Sequence, residues 1–180
     1  DANLYHDMAT GRAVTGVLHY LNKTPIDWFS KKQGTVETAT YGSEFSAART
    51  AIEQIDGLRM MLRYLGVPID GPSYLFGDNG SVVTSSTVPE SQLGKRHHAL
   101  SYHYAREAIA SSMVLFYHIP GEINPADLLS KHWAHHTVWP QLKAIFCGEE
   151  ILRNSSSRNP SPRQGSNNCA VGMKSQVVVQ

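Results

Sequence analysis

The chain has 180 residues, 41% of them hydrophobic and 17% charged, which suits one domain with a proper core and a short appendage. No run of about 18 apolar residues is present and no basic stretch followed by an apolar segment opens the chain, so neither a membrane span nor a signal peptide is readable, and an intracellular, cytoplasmic protein is expected. The two cysteines, Cys147 and Cys169, support neither a disulfide framework nor a thiolate metal site, and the formal charge of +1 conceals 12 Lys/Arg against 15 Asp/Glu in residues 1–150, which excludes a generic basic nucleic-acid binder.

In chain order, Val17 to Leu21 and Ile26 to Phe29 flank Asn22-Lys23-Thr24-Pro25 and predict a β-hairpin. Thr35 to Thr40 is a third β-prone stretch. Ser43 is placed to cap a helix whose first turn holds Glu44. The helix itself is marked by Phe45, Ala48, Ile52, Ile55, Leu58, Leu62 and Leu65 at three- and four-residue steps, and Gly66 with Pro68 stops it.

Tyr74-Leu75-Phe76 predicts a short strand ending at Gly77-Asp78-Asn79-Gly80, with a weaker helix from Ser81. Residues 97–111 are helical by composition, Met113 to Ile119 is β-prone, and Asn124-Pro125 is a helix start that puts Asp127 in the first turn. A last amphipathic piece carries Val138, Trp139, Leu142, Ile145 and Phe146. Residues 153–168 offer hardly an apolar side chain, so the expected organisation is a folded domain over 1–150 and a disordered, dispensable tail over 151–180. The fold class expected is α/β, a mixed sheet with helices packed on it.

Four acids stand at element ends: Asp1 before the hairpin, Glu44 opening the long helix, Asp78 ending a strand and Asp127 beginning a late helix. Element ends are where such folds gather functional groups. Four carboxylates brought together would repel one another and call for hard divalent cations such as Mg²⁺. Taken singly, each acid has a plainer explanation as a terminus, a dipole partner or a turn former.

Seven stretches in order resemble the ribonuclease H domain of Ty1/copia-type retrotransposon polyproteins. They are Asp1-Ala2-Asn3, Thr15-Gly16-Val17, Ile26-Asp27-Trp28-Phe29-Ser30-Lys31-Lys32-Gln33, Thr40-Tyr41-Gly42-Ser43-Glu44-Phe45, Phe76-Gly77-Asp78-Asn79, Tyr102-His103-Tyr104-Ala105-Arg106-Glu107 and Asn124-Pro125-Ala126-Asp127-Leu128-Leu129-Ser130-Lys131. The resemblance implies a ribonuclease H-like fold whose first three strands are antiparallel and whose helices cover both faces. It also implies cleavage of the RNA strand of RNA/DNA hybrids, with Asp1, Glu44, Asp78 and Asp127 as ligands of two Mg²⁺ ions, or of Mn²⁺ in their place, and His118 as a proton shuttle. An upstream reverse transcriptase in the same polyprotein, and a virus-like particle for an active element, follow from the same resemblance.

Two departures accompany it. The chain opens at Asp1, so the strand that should lead up to that residue is expected to be truncated, and Ala99 stands where relatives carry an acid. A catalytically inactive remnant and a DNA transposase or integrase-type domain of the same fold are the alternatives. The order Asp, Glu, Asp, Asp, with the glutamate on the long helix, favours ribonuclease H over integrases. Lys95, Arg96, His103 and Arg106, with His97 and His98, form either a phosphate-facing patch or a solvated helix face. His132, His135 and His136 lack a complementary zinc ligand and are expected at the surface. Trp28, Trp133 and Trp139 are expected in the core.

Overall fold

The computed structural model describes residues 2–7, 9–93, 96–147 and 175–179. Three strands open the chain: β1 (Ala2–Asp7), β2 (Arg12–Leu21) and β3 (Thr24–Lys32), each antiparallel to its sequence neighbour. β2 and β3 make the expected hairpin. Leu21 faces Thr24 across it, so the turn is Asn22-Lys23, and Asn22 takes a positive φ of 59° that asparagine tolerates better than most residues.

The long helix α1 (Thr40–Tyr64) follows, then β4 (Ser73–Gly77), α2 (Gly80–Thr87), α3 (Ala99–Ala110), β5 (Val114–His118), α4 (Asp127–Ser130) and α5 (His135–Cys147). β4 and β5 are parallel neighbours. The result is a mixed α/β sheet of the ribonuclease H-like type, with antiparallel first strands and helices on both faces.

Alternation along β2 explains the two faces. Val17 is fully buried and joins the larger core with Phe45, Ile52 and Ile55 of α1, Val82 of α2 and Tyr102 and Ala105 of α3. Its neighbour Leu18 points to the opposite face and packs with Ala126 beside α4 and Ile145 of α5. A strand covered on both sides reads as an unbroken buried run, and residues 13–19 are all buried.

Three expectations are corrected. Thr35–Thr40 is no strand: Thr35 Oγ1 donates to Glu37 Oε1 at 3.2 Å, and the segment loops into a helix that begins at Thr40, without a side-chain cap from Ala39. Ser43 consequently lies inside the helix, its hydroxyl donating to the Thr40 carbonyl at 2.9 Å, and Glu44 belongs to the second turn. The three tryptophans are exposed: Trp28 by 62% because β3 lies at a sheet edge, Trp139 by 60% because α5 covers the sheet with its other side, and Trp133, in the link between α4 and α5, by 39%.

The expected tail over 151–180 also differs at its end. Ser175–Val179 forms β6, antiparallel to β2 and parallel to β4. Its three consecutive valines favour extended backbone, and the sheet supplies two bonding edges. Residues 148–174 and Gln180 lie outside the described residues.

Gly16 shows how tightly the second face closes. A Cβ there would stand 2.9 Å from the Ala126 carbonyl oxygen and 3.0 Å from Leu129 Cβ, so α4 rests directly on the bare backbone of β2. Ser30, opposite Gly16 on β3, donates to the Leu129 carbonyl at 2.5 Å and pins the same turn. Replacing Gly16 by alanine should push α4 off the sheet and lower stability by about 1–3 kcal/mol, measured by urea unfolding with an unchanged m-value.

Candidate active site

Glu44 is positioned by polar contacts that tie α1 to β2. The Gln33 amide Nε2 donates to Thr15 Oγ1 at 2.9 Å and to the Ser43 carbonyl at 2.8 Å, all of it buried. Gly42 permits close cover of the same turn, since any side chain there would collide with His98 and Glu37. Those two side chains face each other at 3.6 Å. The Glu44 carboxylate is 7% exposed and accepts the Ala2 amide at 3.3 Å.

Asp78 sits where β4 ends. Asn79 turns the chain at once by accepting the amides of Ser81 at 3.1 Å and Val82 at 3.3 Å, a cap that starts α2 and leaves Asp78 at the mouth of the sheet. His118, at the end of the neighbouring strand, donates from Nε2 to the Asp78 backbone carbonyl at 2.9 Å. Gly121 lies close on the other side, where a Cβ would be 3.1 Å from Asp78 Oδ2.

Asp127 occupies the first turn of α4, as expected, and is 8% exposed. The Asn124 side chain shapes the approach by accepting the Ala126 amide at 3.2 Å. Asp127 Oδ1 receives Lys131 Nζ at 2.6 Å, and its backbone carbonyl receives the Trp133 indole at 3.1 Å.

Glu44 and Asp78 line one cleft of about 490 Å³, together with Thr40, Asn79, Ala2 and Lys131. Asp127 is joined to this cleft through its ion pair with Lys131. Burial raises the Glu44 carboxyl above its usual value and the Asp78 carboxylate adds to the rise, while the Ala2 amide and the Lys131 ammonium oppose it. Among the described residues no three His, Cys, Asp or Glu side chains form a metal-holding group. Asp1 lies outside the described residues. A second cavity, about 10 Å³ beside His19 and Ile55, is too small to hold more than a water.

The basic patch does not survive as one unit. Arg106 is a structural clamp: Nη1 donates to the carbonyls of Ser85 at 3.1 Å and Val88 at 2.8 Å, Nη2 to that of Pro89 at 2.8 Å, and the guanidinium lies over the Tyr102 ring at 5.2 Å. Those bonds hold the end of α2 against α3 and leave the fork little to offer a phosphate. Arg96 and His103 are exposed, His98 is buried, and Lys95 lies outside the described residues. His132, His135 and His136 are at the surface as expected. The residues missed in the sequence are Lys131, Asn79 and Gln33. Only Lys131 carried a signal, its i+4 spacing from Asp127 on a helix start.

Comparison with known proteins bears on origin. The chain is 30% identical over 132 residues to the retrovirus-related Pol polyprotein from transposon RE2 of Arabidopsis thaliana, a stretch that is 73% of this chain and 9% of the relative. It is 29% identical over 132 residues to the corresponding polyprotein from transposon RE1 of the same plant, again 73% and 9%. Against that from transposon TNT 1-94 of Nicotiana tabacum it is 26% identical over 156 residues, 87% of this chain and 11% of the relative. The chain thus spans about a tenth of the length of these relatives, and its likeness to them supports a retrotransposon polyprotein origin. No family model matches, and no solved structure matches.

The raised Glu44 carboxyl sets a pH dependence. The native carboxyl holds its proton to higher pH than the unfolded chain, whose value is 4.5, so this group's contribution falls as pH rises from 4.5 through the raised native value. Glu44→Gln keeps an oxygen for the Ala2 amide and removes the buried charge. It should melt above the parent at pH 7, with the difference closing as pH falls to about 4.5. Thermal melts of both proteins between pH 4 and 8 check this.

Proposed function

We propose that this chain is a ribonuclease H domain that cuts the RNA strand of RNA/DNA hybrids within a retrotransposon Pol polyprotein, beside a reverse transcriptase domain. The observation that carries the reading is the cleft that gathers Glu44 and Asp78 from separate elements, with Lys131 linking Asp127 to it. The likeness to Pol polyproteins supports the retroelement context.

The donor set fits Mg²⁺ or Mn²⁺. Carboxylate oxygens are hard ligands, and Mg²⁺ is commonly held by one or two carboxylates while keeping several waters. The buried Glu44 beside Asp78 is an unfavourable concentration of negative charge in the protein alone, and a dication would offset it. Glu44, Asp78 and Asp127, with Asp1, would hold two such ions, Asp127 after release from Lys131. Bound there, the ions would supply an activated water and a stabilised leaving oxygen.

The chain's own groups serve that chemistry in separate ways. Glu44 is held rigid by the Ala2 amide and by the Gln33 contacts under its helix, so it need not reorganise to bind. His118 stands beside Asp78 with one ring nitrogen donating to its carbonyl, which orients the ring and leaves the other nitrogen for proton transfer. Hybrid recognition would rest on 2′-hydroxyl and backbone contacts and on duplex shape, not on base edges. No helix among the described residues is long and apolar enough to cross a membrane.

The test joins activity to binding. The full chain should cut RNA in a hybrid with Mg²⁺ or Mn²⁺ and stop in EDTA. Asp78→Asn, which keeps the shape and removes the charge, should lose cutting by a factor of about 10² or more, retain its fold, and gain less melting temperature from Mg²⁺ than the parent does. Equal cutting of double-stranded DNA would overturn the ribonuclease H reading. A parental rate in Asp78→Asn would remove that residue from the site, and no cutting with no Mg²⁺ effect on the melt would favour an inactive remnant.

A further inference from the structure

The link between α4 and α5, and one side of α5, carry side chains that the proposed reaction leaves unused. From Leu128 to Cys147 the chain holds two lysines, three histidines and two tryptophans and no acid. Ile145 packs on the second face of β2 with Leu18, and helical spacing puts Val138 and Leu142 on that side. His135, Trp139 and Lys143 stand four residues apart, so they form a stripe along a different side, and all three are exposed. The His135 and Trp139 rings lie parallel to within 13° with centroids 6.2 Å apart, and Trp139 is still 60% exposed.

This segment leaves the cleft at a fixed point. Lys131 lines the cleft and donates to Asp127 Oδ1 at 2.6 Å, and the Trp133 indole donates to the Asp127 carbonyl at 3.1 Å. From His135 to Lys143 the stripe runs about 12 Å along the helix axis. Paired open rings followed by an ammonium group, on a segment without an acid, match the chemistry of a nucleotide strand: base faces stack on rings, and phosphates meet cations. Bases inside a duplex are stacked on one another and offer no face, so the strand that fits is an unpaired one.

We propose that residues 131–143 form a nucleic-acid subsite beside the cleft, in which an unpaired strand stacks bases on the Trp139–His135 pair and sets phosphates against Lys143. The ligand is single-stranded nucleic acid, such as the unpaired end of a hybrid whose paired part lies over the cleft. In taking nucleic acid as ligand the proposal rests on the ribonuclease H reading, but it gives these residues no part in the cutting itself.

The probe is a labelled strand of about twelve thymidines, titrated into the full chain in EDTA and followed by anisotropy and by quenching of tryptophan emission. Trp139→Ala should weaken binding about 10-fold or more, whereas Trp139→Phe, which keeps a flat face, should retain most of it. Lys143→Gln should weaken binding and reduce the slope of log affinity against log salt by about 0.7. Tyr64→Ala, at an exposed ring on the far end of α1 from Glu44, should bind like the parent. The substituted side chains are exposed, so melting temperatures should match the parent's. The proposal is overturned if the parent does not bind the strand, or if Trp139→Ala or Lys143→Gln binds it as tightly as the parent. A concentration-dependent dimer that Trp139→Ala abolishes, with no strand binding, would assign the surface to a second copy instead. Cutting of a blunt hybrid by the parent is measured separately: cutting without strand binding removes the subsite and keeps the ribonuclease H reading, and strand binding lost in Trp139→Ala, without cutting, does the reverse.

Discussion

A strand bonded along both edges and covered on both faces cannot slip by one residue without sending every buried side chain to the wrong side. β2 is in that position. β3 runs along one edge, β1 and β6 share the other, α1 packs on one face and α4 on the opposite one. Glu44 and Asp127 inherit their places from this strand. Thr15 anchors Gln33 and through it the start of α1, and Gly16 admits α4 close enough to bring Asp127 to the edge of the sheet.

The electrostatics of the cleft follow from that geometry. Burying Glu44 near Asp78 costs stability that a free surface would not exact, since the charged carboxylate loses water and gains a like-charged neighbour. The fold answers locally with an amide and an ammonium. Lys131 reaches back one helical turn to Asp127, lines the cleft with Glu44 and Asp78, and so brings a positive charge to the acids there.

Other polar groups that looked functional are used for construction. Arg106 spends its donors on three carbonyls at the end of α2, and His98 is buried against Glu37 and Tyr41. The tryptophans reverse the other way. Trp28 and Trp139 are open to solvent, the latter stacked on His135, and Trp133 uses its indole nitrogen on the Asp127 carbonyl. Residue type alone could not sort these, because the same guanidinium or indole serves packing, bonding or binding according to what lies within about 3 Å.

The sequence by itself determined the elements with strong local signals. The hairpin at Asn22-Lys23, the long helix with its Gly66 stop, the strand before Asp78 and the helix start at Asp127 are written in turn residues and apolar spacing, which act over a few residues. Glu44, Asp78 and Asp127 were legible as candidates for the same reason: each stands at or near a boundary that local chemistry marks. Only the tertiary structure decided that Glu44 is buried in a second helical turn, that Lys131 pairs with Asp127, and that residues 35–39 are a loop. It alone decided that five residues near the C-terminus lie in the middle of the sheet beside β1. Pairing between strands more than 150 residues apart is a long-range contact, and the spacing of neighbouring residues, which acts over a few positions, carries no record of it.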